Sequence, residues 1–133
     1  MGIEPFLVVS SVVAIIAQRL VRVICPRCKE AFEPDRALLR EIGLGDMQPA
    51  PTAFYRGTGC ASCFETGYKG RTGIYEILTV DDTIRSLILK SSHSTAIKAV
   101  AQKRGMTTLW VDGVKKVLEG TTTIDEVLRV THQ

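Results

Sequence analysis

CPRC at residues 25–28 and GCASCFETGYKGRTGIYEILTV at residues 59–80 decide how this chain is read. Between them they hold all four cysteines, Cys25, Cys28, Cys60 and Cys63, in two C-x-x-C units separated by 31 residues. Four cysteines can form two disulfides, but their pairing in two knuckles argues for a shared metal ion. A C-x-x-C turn aims two sulfurs at one point, and a second turn completes a tetrahedron, the geometry zinc takes with thiolates. The 31-residue insertion is longer than in common zinc ribbons. It weakens assignment to a standard finger and leaves the coordination argument intact. With four cysteines there is no open position for water, so the predicted ion is one structural zinc. Iron fits the same sulfur cage. A dithiol oxidoreductase would need only one knuckle, at the start of a helix after a strand. His93 and His132 sit at no ligand spacing and read as surface residues. Cysteines used this way belong to a reducing compartment, which predicts a cytoplasmic protein.

The rest of the second stretch reads as a turn punctuated by Gly67, Gly70 and Gly73, followed by a strand from Gly73 to Val80 rich in β-branched and aromatic residues. On the N-terminal side, Phe6 to Ala17 carries no charge. It is shorter than the roughly 20 apolar residues a bilayer span needs. No basic residue precedes it, as a signal peptide would require. It is predicted to be a buried core helix, entered at Pro5 and extended through Leu20, with a short strand from Leu20 to Ile24. A helix apolar on all sides must be enclosed by protein. The rest of the chain offers little to enclose it, so the expectation is a piece cut from a larger domain.

Between the knuckles, residues 34–42 predict a helix with Leu38, Leu39 and Ile42 on one face and Gly43 as its stop. Residues 43–53 predict a loop, and Phe54 to Arg56 a short strand. After Val80 four helices are expected. The first is capped by Asp81 or Asp82 and buries Ile84, Leu87 and Ile88. The second is capped by Ser94 and buries Ile97, Val100 and Ala101. The third runs from about Thr108 to Glu119 with Trp110, Val114, Val117 and Leu118 inward. In the last, Thr123 and Glu126 form a capping box and Ile124, Val127 and Leu128 face the core. The fold class is therefore α+β: mostly helical, with short strands and a small tetracysteine zinc-binding lobe. The segment between residues 28 and 60 shows few apolar residues, so metal loss is expected to loosen that lobe while the C-terminal helices persist.

The 133 residues are 45% apolar, which excludes a disordered tail, and the net charge is only +3. The densest basic group, Arg19, Arg22, Arg27 and Lys29, is thin for a nucleic-acid binder and reads as a solvated face. There is no G-x-x-x-x-G-K-[ST], G-x-S-x-G or H-E-x-x-H motif. The residues alone support no enzymatic activity.

Three stretches in fixed order carry a resemblance: AQRLVRVICPRCKE (17–30), GCASCFETGYKGRTGIYEIL (59–78) and GMTTLWVDGVKKVLEGTTTIDEVLRVT (105–131). They resemble the C-terminal end of the ATPases that drive type II secretion and type IV pilus assembly, over nearly the whole chain. The resemblance implies a parent that is a cytoplasmic hexamer hydrolysing ATP with Mg, peripheral at the inner membrane, with its nucleotide motifs outside these residues. It implies that residues 1–24 are the terminal helix and strand of a truncated RecA-like core and residues 25–63 the metal-binding lobe. Residues 64–80 would return to the core, and residues 81–133 form a helical subdomain packed on it. Cys25, Cys28, Cys60 and Cys63 match the family's metal ligands. The implied partners are the rest of the ATPase core, neighbouring subunits and inner-membrane secretion platform proteins, with no nucleic acid and no direct membrane insertion. Pilus-retraction ATPases lack the tetracysteine lobe and fit poorly. Trp110 departs from the family pattern, where a smaller or charged residue is expected. The competing reading is a free-standing zinc-ribbon module that binds nucleic acid.

Overall fold

A computed structural model of the chain describes residues 11–46, 53–90 and 93–131. Strand β1 spans Ala14–Ile24, β2 Lys29–Phe32, helix α1 Arg36–Glu41 and β3 Phe54–Gly57. Strand β4 spans Tyr68–Thr79 and is followed by four helices: α2 Asp82–Leu89, α3 Ser94–Lys103, α4 Leu109–Leu118 and α5 Ile124–Thr131. The fold is α+β. The strands form two separate pairs, β1 with β4 and β2 with β3. The Val80 N–H bonds the Val13 carbonyl, and at the other end the Cys25 N–H bonds that of Gly67, so β1 and β4 run antiparallel.

The helix expected to extend through Leu20 is replaced from Ala14 onward by strand. A short apolar run cannot be told from a strand by periodicity alone. Here the arbiter is the partner, since the run pairs with β4. The run is also not buried: Val13, Ile15, Ile16 and Leu20 are all exposed. Residues 1–10, which hold the start of that expected helix, lie outside the described residues, as does His132. Strand β4 begins at Tyr68 rather than Gly73, so the glycine-punctuated turn is part of the ladder. Among the described residues no helix is long and apolar enough to cross a membrane.

The contacts divide the chain into two units that differ from the sequence segments: residues 1–18 with 75–109, and residues 19–74 with 110–133. Helices α2 and α3 fall in the first unit, and α4 from Trp110 onward and α5 in the second, where they pack on residues before Ile74.

In the first unit Asp81 caps α2, its Oδ1 accepting from the Ile84 N–H at 3.0 Å. Val80, Ile84 and Ala101 are its buried centre, with Leu87, Ile88, Ile97 and Val100 against them. His93, not Ser94, occupies the cap position of α3, and its side chain makes no capping bond. An open apolar cavity of about 320 Å³ lies between Ile15, Leu78, Ile97 and Met106, with Lys98 and Glu76 paired at 3.5 Å on its wall.

In the second unit the segment between the knuckles carries more apolar matter than its sequence suggested. Strand β2 pairs antiparallel with β3, Phe32 opposite Phe54, and the two rings meet edge to face at 6.2 Å. Leu39, Ile42 and Phe54 then join Val114, Val117, Ile124 and Val127 in one core, with Trp110 partly buried against it. Gly113 allows α4 and α5 to approach closely: a Cβ there would stand 2.5 Å from Val127 Cγ1. The lobe expected to loosen without metal is thus packed against the C-terminal helices expected to persist. The two share their interior, because α1, its C-cap Ile42 and β3 supply three of the seven buried residues of this cluster among the described residues.

Candidate metal centre

The two strand pairs converge where the knuckles lie. The first knuckle joins the end of β1 to the start of β2, and the second joins the end of β3 to the start of β4. The Thr58 N–H bonds the Cys28 carbonyl at 3.1 Å, continuing the β2–β3 ladder to the knuckle. The Cys25 N–H bonds the Gly67 carbonyl at 3.0 Å and closes the other ladder. The 31-residue insertion therefore does not separate the knuckles: β2, α1 and β3 loop it out and bring Cys60 back to Cys25.

All four Sγ atoms lie within 4.8 Å of one another. Cys25–Cys60 and Cys28–Cys63 are each 3.8 Å apart and Cys60–Cys63 3.7 Å. A zinc–thiolate bond of 2.3 Å gives a tetrahedron edge of about 3.8 Å, so these separations fit a zinc tetrathiolate and no pair is disulfide-bonded. Cys25 and Cys63 are buried, while Cys28 and Cys60 are half-buried.

Backbone N–H groups point at the sulfurs: Gly59 at Cys28 (3.3 Å), and both Cys60 (3.3 Å) and Gly67 (3.2 Å) at Cys63. Burial opposes ionisation of Cys63, but donation from Cys60 and Gly67 outweighs it and lowers the thiol to about 6. Burial raises Cys28 to about 11 despite the Gly59 N–H. Cys63 therefore ionises more readily than Cys28, and because a metal ion binds thiolates, affinity is pH-dependent.

The backbone needed for this is specific. Phe64 and Glu65 are left-handed at φ 55° and 62°, turning the chain so that Gly67 N–H returns to Cys63. Gly67 itself has φ +83°, and a Cβ there would stand 2.6 Å from the Gly57 carbonyl oxygen. Conversely, a Cβ on Gly57 would stand 2.1 Å from the Gly67 carbonyl oxygen. Only a pair of glycines permits the two strand ends to meet this closely.

Sequence reasoning missed a polar cluster beside the knuckles. Glu126, 2% exposed, accepts from the Arg22 N–H and Nη2 (both 2.8 Å) and from Arg129 Nε (3.1 Å) and Nη2 (2.9 Å). Burial raises its carboxyl, but the Arg129 and Arg22 bonds prevail and hold it at about 2. The capping box is therefore only half formed. Thr123 Oγ1 accepts from the Glu126 N–H at 3.3 Å, while the carboxylate is spent on arginines. The Arg22 guanidinium also lies 4.2 Å over the Tyr68 ring, and Lys29 4.7 Å over Tyr55. Arg22 and Lys29 of the basic group remain exposed, as a solvated face requires, while each lies over a tyrosine ring. The i, i+3 spacing of Glu126 and Arg129 was the one readable signal; the link across 104 residues to Arg22 was not.

A model of the type II/IV secretion system protein family matches residues 1–129. The chain belongs to that family. Its relatives include the type II secretion system protein E of Pseudomonas aeruginosa, 48% identical over 134 residues that cover 100% of this chain and 26% of that protein. The type IV pilus assembly ATPase PilB of Thermus thermophilus is 44% identical, covering 98% of this chain and 15% of that one. The type II secretion system ATPase E of Vibrio cholerae is 43% identical, covering 100% and 26%. The chain thus spans about a quarter or less of the length of these relatives.

Proposed function

We propose that this chain is the C-terminal, zinc-stabilised portion of a hexameric ATPase that powers type II secretion or type IV pilus assembly, and that it acts there as a structural and docking module. The observation that carries the reading is the tetrathiol cluster, with three sulfur separations at the zinc–thiolate edge, in a chain of the secretion family. Cys25, Cys28, Cys60 and Cys63 hold one zinc ion, which cross-links the ends of four strands and has no open position for chemistry. ATP and Mg bind elsewhere in the parent, which works in the cytoplasm against the inner membrane through platform proteins. Type II secretion and pilus assembly both appear among the relatives' names, and the chain's identity to the two groups is similar. The nucleic-acid alternative is disfavoured because the chain belongs to the secretion family and its basic group is thin, with Arg22 and Lys29 lying over the Tyr68 and Tyr55 rings.

Elemental analysis of the purified chain is expected to give one zinc per chain, with four thiols titrating only after chelation. In the full-length parent, Cys60→Ser with Cys63→Ser is expected to abolish secretion or piliation while part of the ATP turnover remains. Normal export by that double variant would overturn the docking role.

A further inference from the structure

We propose that the metal centre and helix α5 are thermodynamically coupled through Glu126, a positioning residue for the knuckles. The inference rests on the zinc reading above and extends it to a part of the chain that supplies no ligand. Strand β1 delivers Cys25, and its last residues are held by the segment around α5. The Ile24 N–H bonds the Thr121 carbonyl at 2.9 Å, the buried Thr122 hydroxyl donates to the Arg22 carbonyl at 2.7 Å, and the Arg22 N–H bonds Glu126. Strand β4 is held from the same side. Tyr68 OH meets Thr123 Oγ1 at 2.8 Å, and the Arg22 guanidinium covers the Tyr68 ring. Tyr68 directly follows Gly67, whose N–H bonds Cys63 Sγ and whose carbonyl accepts from Cys25.

The buried Glu126 carboxylate thus holds the end of β1, which leads directly into Cys25, and reaches the start of β4 and, through Gly67, Cys63 by way of the Arg22 guanidinium over Tyr68. Outer partners that orient ligands commonly alter metal affinity by about 10–100-fold. Linkage makes the effect reciprocal: what docking of α5 adds to zinc affinity, zinc adds to docking of α5.

The test uses the whole chain loaded with zinc. Release to excess chelator is followed with a metal-sensitive dye at constant pH. Glu126→Gln keeps the shape of the side chain and removes its charge, and is expected to speed release about tenfold. Tyr68→Phe, which deletes one hydroxyl, is expected to speed it less. Glu30→Gln, which breaks the exposed Glu30–Arg56 pair of the same unit, is expected to change nothing. Leu39→Ala controls for general loss of stability. Equal acceleration by Leu39→Ala at matched stability would reduce Glu126 to a packing residue and overturn the proposal. In the reciprocal arm, amide exchange is compared with and without chelator. Protection of α5 is expected to fall while that of α2 stays constant. A zinc-loaded chain whose α5 protection is unchanged on chelation defeats the coupling alone, whereas absence of zinc from the wild-type chain defeats the metal reading itself.

Discussion

The two units reach order by different means. The unit of residues 1–18 and 75–109 is centred on three buried aliphatic side chains, Val80, Ile84 and Ala101, with ion pairs such as Lys98–Glu76 partly in solvent. The unit of residues 19–74 and 110–133 combines a seven-residue apolar core with four converging thiols and a buried carboxylate shared by two arginines. Apolar contacts are non-directional and tolerate adjustment. Thiolate coordination and buried charge pairs demand fixed geometry, and losing one partner leaves the other desolvated. The second unit should therefore respond more sharply to a single chemical change.

Four measurements would break or sharpen that contrast. Metal removal comes first. Structural zinc contributes on the order of 10 kcal/mol in small peptides, so chelation is expected to abolish cooperative thermal unfolding of the second unit while α2 and α3 remain helical by amide exchange. Equal loss in both units would erase the distinction. Next, Phe54→Ala empties a fully buried site and is expected to cost about 3–5 kcal/mol in denaturant unfolding.

Acid comes third. The Glu126 carboxyl lies at about 2 against an ordinary 4.5, so its stabilisation is complete above pH 4.5 and is lost as pH falls toward 2. The full effect is on the order of 2–3 kcal/mol, reduced by the half-exposed arginines. The stability difference between wild type and Glu126→Gln is expected to shrink across that window; a difference independent of pH would show that charge is not what Glu126 contributes. Last, Asp81→Ala removes the α2 cap in the first unit and is expected to cost about 1 kcal/mol with no change in zinc content.

How much was readable follows the range of each interaction. The helices α1, α2, α4 and α5 and their inward faces were legible because 3.6-residue periodicity and caps are local, as Asp81 and the row Val114, Val117, Leu118 show. The four cysteines were legible as one set because ligand chemistry is encoded in residue type. Strand β1 was misread because an uncharged run such as residues 12–17 satisfies both helix and strand until its partner is known. Glu126 reads as a cap because Thr123 lies three residues before it, whereas the Arg22 partner of its carboxylate lies 104 residues away.

By itself, the sequence determined the α+β class, most helical faces and the identity of the four thiols, all properties of residue type and short spacing. Only the tertiary structure decided that β2, α1 and β3 fold the 31-residue insertion out of the way, that Gly57 and Gly67 meet backbone to backbone, and that Arg22 finds Glu126 across 104 residues. Those contacts depend on how strands pair and where chain ends return, and no short window of residues specifies a partner that far away.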